Sequence, residues 1–374
     1  MNQFLLIERM KVQNANAAAG FTWGFPAITH FLGFTHNLHR RLQSRSELCE
    51  LSLDGCIVIA HQHTPHTFKV GSRSKFTQYK TAQYLPLKFK KGILEAPSVI
   101  EEAKMNMTVS LLIPVVGYTG GIEEELLQFI RDCCQVQRLA GGTILEIEQI
   151  ELMKNFDESK LKSLRFRLLP GFVLQDRSAY LEKHFAGLKQ MDGNVELLDA
   201  WFDFVALKRV ARPACQLIDK HLALLSKDSE LAINDSWVAH KEEPFRVGSI
   251  PEVVLKYFDE NIDNLDKALQ NQWQNYLSPT EKTDASWEYL KKPEGGFLVP
   301  IMTGYKAITE LFAAGEIDGA RDAETDVRFV EAVHSIGEWQ SVHRLKTLEL
   351  WSSSVWKYHY DEEGWYLCRQ GIGA

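Results

Sequence analysis

A chain of 374 residues, 45% of them hydrophobic, is long enough for one large or two medium domains and can bury a sizeable core. Its formal net charge of −7 excludes a uniformly basic nucleic-acid binder, so any surface for phosphate must be local. Six cysteines without a Cys-x-x-Cys pair exclude a disulfide framework and a zinc ligand pattern. No apolar run approaches the ~18 residues of a spanning helix, no signal-peptide pattern opens the chain, and the expected compartment is the cytoplasm, without a membrane.

Phe4 to Val12 reads as a strand. From Val12 the chain runs through a polar, Gly-rich turn carrying Gln13, Asn14, Asn16, Thr22 and Trp23, then enters an amphipathic helix from Pro26 to about Leu42. The amides of Gln13, Asn14 and Asn16 donate and accept hydrogen bonds without charge, which suits bases and backbone carbonyls better than acid–base chemistry. Arg40 and Arg41 fall in the helix's last turn, where cations also complement the helix dipole. Leu51 to His61 is a second strand, Met105 to Val116 a third, Gly121 to Arg138 a helix, and Thr143 to Leu152 a fourth strand.

The order βαββαβ predicts an α+β fold: a ferredoxin-like, RRM-like domain over about 1–152. The third strand alternates Asn106, Thr108 and Ser110 with aliphatics, so bases are not expected to stack across the open sheet. Between strands two and three lies an insertion at about 63–104. Its cations Lys69, Arg73, Lys75, Lys80, Lys88, Lys90 and Lys91 meet no Asp or Glu between His66 and Gly92, and aromatics are interleaved. Such a run is an electrostatic footprint for phosphate, or a hairpin whose aromatics pack on the parent domain. Arg138, Gly141 and Gly142 join helix to strand, where glycines either let N–H groups approach a phosphate or close the helix.

The remainder, 153–374, is expected to be an α-rich C-terminal part. Lys160–Leu174 looks strand-like, helices are expected at Ser178–Leu188 and Val195–Val210, and Phe297–Tyr305 is a buried strand. Arg328 to Leu350 has helical spacing in Phe329, Val333, Ile336 and Trp339, interrupted near Gly337, and Trp351–Leu367 reads as strands or a hairpin. An acidic helical insertion at about 212–284 carries scattered tryptophans and could face another protein. His61, His63 and His66 lie at the end of the second strand, but the pattern lacks the third ligand and carboxylate of a metal site. No phosphate-loop, His-Glu-x-x-His or Gly-x-Ser-x-Gly motif occurs, so no catalytic residue, metal ligand or cofactor is assigned.

Several motifs resemble, in order, one family. They are Val-Gln-Asn-Ala-Asn-Ala from Val12, Thr-Trp-Gly-Phe-Pro from Thr22, Phe-Leu-Gly-Phe-Thr-His from Phe31, and Arg-Leu-Ala-Gly-Gly-Thr-Ile-Leu at Arg138–Leu145. Leu-Leu-Pro-Gly-Phe at Leu168–Phe172, Leu298–Tyr305 and Arg328–Arg344 complete the set. Together they resemble the second Csy protein, the Cas-five-type subunit of type I-F CRISPR Csy surveillance complexes. The resemblance implies a non-catalytic RNA-binding subunit in antiviral defence. Such a subunit holds the 5′ handle of the CRISPR RNA (crRNA), pairs with the large Csy subunit, abuts the backbone Csy subunit, and meets target DNA through the assembled complex. It carries RNA binding onto Gln13, Asn14, Asn16, Thr22, Trp23, Arg40, Arg41, Arg138, Gly141 and Gly142, and makes the basic insertion, with Lys69, Arg73, Lys75 and Lys80, the family's thumb. The alternative is a metal-independent endoribonuclease processing CRISPR repeat RNA; a protein-only adaptor is a third reading.

Overall fold

The computed structural model describes residues 3–71, 73–77, 79–80, 88–90, 93–95, 101–224, 228–242, 250–277, 286–320 and 322–371. It divides into two compact units, Met1–Lys183 with Gly296–Ala374, and His184–Gly295.

The first unit is α+β, built on an antiparallel sheet of 12 strands among the described residues. Its first elements are β1 (Gln3–Asn16), α1 (Ile28–Gln43), β2 (Ile57–Pro65), β3 (Lys104–Val116), α2 (Glu123–Val136), β4 (Gly142–Glu146) and β5 (Gln149–Met153). They are followed by α3 (Glu158–Arg167), β6 (Phe172–Asp176), β7 (Leu298–Ala307), β8 (Val330–Ser341), β9 (Lys357–Tyr360) and β10 (Trp365–Arg369). The strand order is β4–β1–β3–β2–β6–β8–β7–β10–β9, with β5 pairing the first half of β1.

Alternation along β1 sorts its side chains to two faces. Leu5 and Ile7 pack with Phe31 and Leu38 of α1 and Leu126 and Ile130 of α2. Phe4 and Leu6 join the opposite cluster, with Leu161 and Leu164 of α3, Val342 and Trp351. Two β-bulges interrupt β1 against β3. At each, two β1 residues oppose one β3 residue: Glu8 and Arg9 face Ser110, and Gln13 and Asn14 face Asn106. The second residue of each pair is left-handed, Arg9 at φ 48° and Asn14 at φ 58°. The β3 side chain completes each bulge: Arg9 N donates to Ser110 Oγ at 2.8 Å, and Asn14 N to Asn106 Oδ1 at 3.1 Å.

Several sequence expectations change. The fourth strand is split into β4 and β5, and the break lies opposite the Glu8–Arg9 bulge, where Glu148 N donates to Glu8 O. Lys160–Leu174 is not one strand but α3 followed by β6. Asp157 caps the helix by accepting from Lys160 N at 2.8 Å, and Leu161 and Leu164 bury one face. Arg328–Leu350 is not one helix: β8 runs through it, followed by a 3-10 turn at Val342–Arg344 and the short helix Leu348–Ser352. β8 lies between β6 and β7, so Ser335–Glu338 are buried consecutively and the helix-like spacing of its apolar residues is incidental.

The sheet continues beyond residue 152, and the C-terminal part contributes five strands to it, so this part is α-rich only in the second unit. That unit holds helices Leu197–Val205, Cys215–Leu222, Asp228–Glu242, Glu252–Glu260 and Lys267–Leu277, with strand Arg209–Arg212 paired to Ser286–Tyr289. Two of the tryptophans in its acidic stretch are core residues. Trp273 stacks on Phe258 at 4.4 Å, and Trp237 Nε1 donates to Asp219.

Candidate nucleic-acid interface

The end of β1 opens onto a polar trough of about 300 Å³, lined by Lys11, Val12, Gln13, Gln62, Thr64, Asn106, Met107, Thr108 and Leu145. Gln13 lies here, while Asn14 is exposed in the adjoining bulge. No aromatic side chain lines the trough, as the alternation along β3 foretold. Sequence reading noted Asn106 and Thr108 but missed that Lys11, Gln62 and Thr64 join them; strand pairing alone brings them together.

The remaining signature residues have different roles. Asn16 closes its own turn, its Oδ1 accepting from Ala18 N at 3.0 Å and its Nδ2 donating to Ala18 O at 2.8 Å. Thr22 Oγ1 donates to Ala19 O. Both hold the small hairpin Ala18–Ala19/Thr22–Trp23 in shape. Trp23 is partly exposed and meets Phe76 edge-on at 4.7 Å, linking this hairpin to the insertion.

Gly142 abuts β1 so closely that a Cβ would meet Gln13 O at 2.7 Å and Ala15 N at 2.8 Å. Gly141 is left-handed at φ 74° in open space. Gly141, Arg138 and Arg41 share a second cleft, of about 400 Å³, with His30 and Asn37; Arg40 does not line it. Burial holds the His30 imidazole below the usual histidine range, against its hydrogen bond to Ala27 O.

In the insertion, Thr67–Val70 and Arg73–Phe76 form a hairpin on which Lys69 and Lys75 are exposed. Lys80 pairs with Glu101 in the backbone ladder. The side chains of Arg73, Lys80, Lys88 and Lys90, and the whole of Lys91, lie outside the described residues.

The family model for CRISPR-associated protein (Cas_Csy2) matches residues 5–243 and 253–368. The chain belongs to the Cas_Csy2 family. The CRISPR-associated protein Csy2 of Pseudomonas aeruginosa (strain UCBPP-PA14) is 29% identical over 377 residues, covering 96% of this chain and 92% of that relative. The type I-F Csy resemblance carried by the ordered motifs is thereby borne out. The match runs through most of 212–284, so the acidic segment has a counterpart in the Cas_Csy2 family. No helix among the described residues is long and apolar enough to cross a membrane.

In this Cas_Csy2 family member the strand-end histidines are not equivalent. His61 Nδ1 lies 2.8 Å from Pro170 O, a pure acceptor, so that nitrogen carries the proton. Nε2 then accepts from Ser110 Oγ at 2.7 Å, and Ser110 in turn accepts from Arg9 N. His63 is exposed. Burial, more than the nearby Arg9, holds His61 below the usual histidine range despite its bond to Pro170. A folded pKa below the unfolded one means that the unfolded chain binds more protons. The stability from His61 is therefore full above about pH 6.5 and is lost as pH falls toward the folded value. Thermal melts are expected to show a lower Tm at about pH 5.5 than at about pH 7.5. The drop should shrink in His61→Gln and persist in His63→Gln; an unchanged drop in His61→Gln would assign it to other groups.

Proposed function

We propose that this protein is a non-catalytic RNA-binding subunit of a CRISPR RNA-guided surveillance complex, holding the 5′ handle of the crRNA and pairing with the large Csy subunit. The backbone Csy subunit would lie alongside, target DNA would be met through the assembled complex, and the setting would be the cytoplasm. Guide pairing would supply target specificity and the protein would supply shape and positioning. The observation that carries this reading is the aromatic-free trough whose amide and hydroxyl groups adjoin the Gln13–Asn14 bulge. Uncharged donors and acceptors there suit base edges, while its one cation, Lys11, is paired with Glu146 at 2.7 Å. The order β4–β1–β3–β2, with α1 and α2 packed on one face, supports a ferredoxin-like, RRM-like domain over about 1–152 with its thumb at about 63–104. The competing endoribonuclease reading cannot use His61 as its base, because both ring nitrogens are engaged within the fold.

Binding titrations with native and scrambled handle RNA at several salt concentrations test the proposal. Gln13→Ala and Asn14→Gly, the latter keeping the left-handed backbone, should each weaken native handle binding about fivefold, the equivalent of ~1 kcal/mol, with little change in salt slope. Lys69→Gln with Lys75→Gln should instead lower the log–log slope by about 1.4–1.8. If the amide variants weaken native and scrambled handles equally, the trough does not read the handle.

A further inference from the structure

A second basic surface lies on α3, apart from every residue assigned above. Leu161 and Leu164 turn inward, which leaves Lys162, Arg165 and Phe166 on the outer side of the helix. They line a cleft of about 330 Å³ with Glu158, Leu169, His343 and Lys346. Arg165 is anchored at one edge, where its Nη2 donates to His343 O; its Nε is buried without a hydrogen-bond partner among the described residues. Lys162 and Lys346 are exposed, and neither pairs with a carboxylate among the described residues. Phe166 is 63% exposed beside them.

Three cations and a histidine around one carboxylate, Glu158, form a local positive surface on a chain of net charge −7. Cations alone would fit any polyanion. An outward-facing phenylalanine among them adds a π-face, which stacks on an unpaired base and finds none accessible in an intact duplex. We propose that this cleft is a second contact site for a single-stranded polynucleotide, with phosphates between Lys162, Arg165 and Lys346 and a base stacked on Phe166. The inference stands on charge and geometry at α3 and does not rest on handle recognition by the trough.

The test measures anisotropy of a fluorescent oligouridine lacking any handle sequence, titrated with the full chain at several salt concentrations. A Lys69→Gln/Lys75→Gln background reduces competition from the hairpin. Adding Lys162→Gln with Lys346→Gln should lower the log–log slope by about 1.4 and the affinity at about 0.1 M salt by about 25-fold. Arg165 is left intact because it holds the His343 carbonyl. Phe166→Ala should weaken binding about fivefold or more without changing the slope, and Phe166→Leu, which keeps an apolar side chain but no ring, should do the same. Parental affinity in the lysine variant overturns the site. Parental affinity in both Phe166 variants overturns the single-strand assignment. Gln13→Ala measured on native handle RNA reports on the trough alone, so failure of one reading is distinguishable from failure of the other.

Discussion

Replacing Trp356 with alanine is expected to cost about 3–5 kcal/mol of stability, the range for removing a large aromatic from a packed core. At roughly 2–4 °C per kcal/mol for a unit of this size, the Tm should fall by about 10 °C. The indole is fully buried, and its Nε1 donates to Leu174 O at 3.0 Å. The backbone adds a second tie, since Trp356 and Cys56 exchange N–H···O bonds of 2.9 and 3.0 Å. This residue from the C-terminal end therefore packs beside the start of β2 and bonds to β6. The backbone approach is close as well: a Cβ on Gly55 would lie 2.2 Å from the Trp356 carbonyl. Chemical denaturation followed by far-UV circular dichroism measures the loss. A loss below about 1 kcal/mol would mean that the C-terminal strands contribute little to the stability of the shared core.

Arg167→Ala should cost about 3 kcal/mol near neutral pH. That is the low end of the range for breaking a buried ion pair, because the arginine itself is only partly buried. Glu8 sits in the first β1 bulge with its side chain 2% exposed, and Arg167 Nε lies 3.0 Å from its Oε2. Its other oxygen has no hydrogen-bond partner among the described residues. Burial already pushes the Glu8 carboxyl above the usual range against the pull of Arg167, and losing the guanidinium pushes it further. A raised folded pKa makes the folded state bind protons more readily than the unfolded one. The corresponding stability is full below about pH 4.5 and is lost as pH rises through the folded value. The deficit of Arg167→Ala against the parent should therefore be smaller at about pH 5 than at about pH 7.5. Histidine contributions common to both proteins cancel in that comparison. Adding Glu8→Gln should recover part of the loss at the higher pH. A deficit that stays constant or grows toward acid would refute the buried-charge account.

The bulges explain why the site was only half legible. The amides of Gln13 and Asn14 were recognisable as hydrogen-bonding groups from residue type alone. Their exposure on consecutive positions depends on an extra residue opposite Asn106, and no local pattern announces it. Asn16 and Thr22 belong to the same signature, yet their polar groups satisfy the turn. Residue type could not separate readers from fasteners, because both need the same donors and acceptors. The basic cleft on α3 was missed for a related reason. Reading Lys160–Leu174 as a strand scattered its cations over two faces, whereas the helix gathers Lys162, Arg165 and Phe166 beside one cleft.

Local chemistry determined β1, α1, β2, β3 and α2, since α1 and α2 carry apolar periods of about 3.6 and the strands carry short apolar runs that match the burial they receive. The uncharged signature at Gln13–Asn16 and the cation run in the insertion were equally local, being matters of residue type. Tertiary structure alone decided the rest. β8 is a strand because β7 and β6 satisfy its backbone, and its buried residues Ser335–Glu338 are consecutive, which erases the period that would have identified it. The trough exists because three strands distant in sequence present polar residues on one face, and its polarity is tolerated because that end of the sheet is open to water.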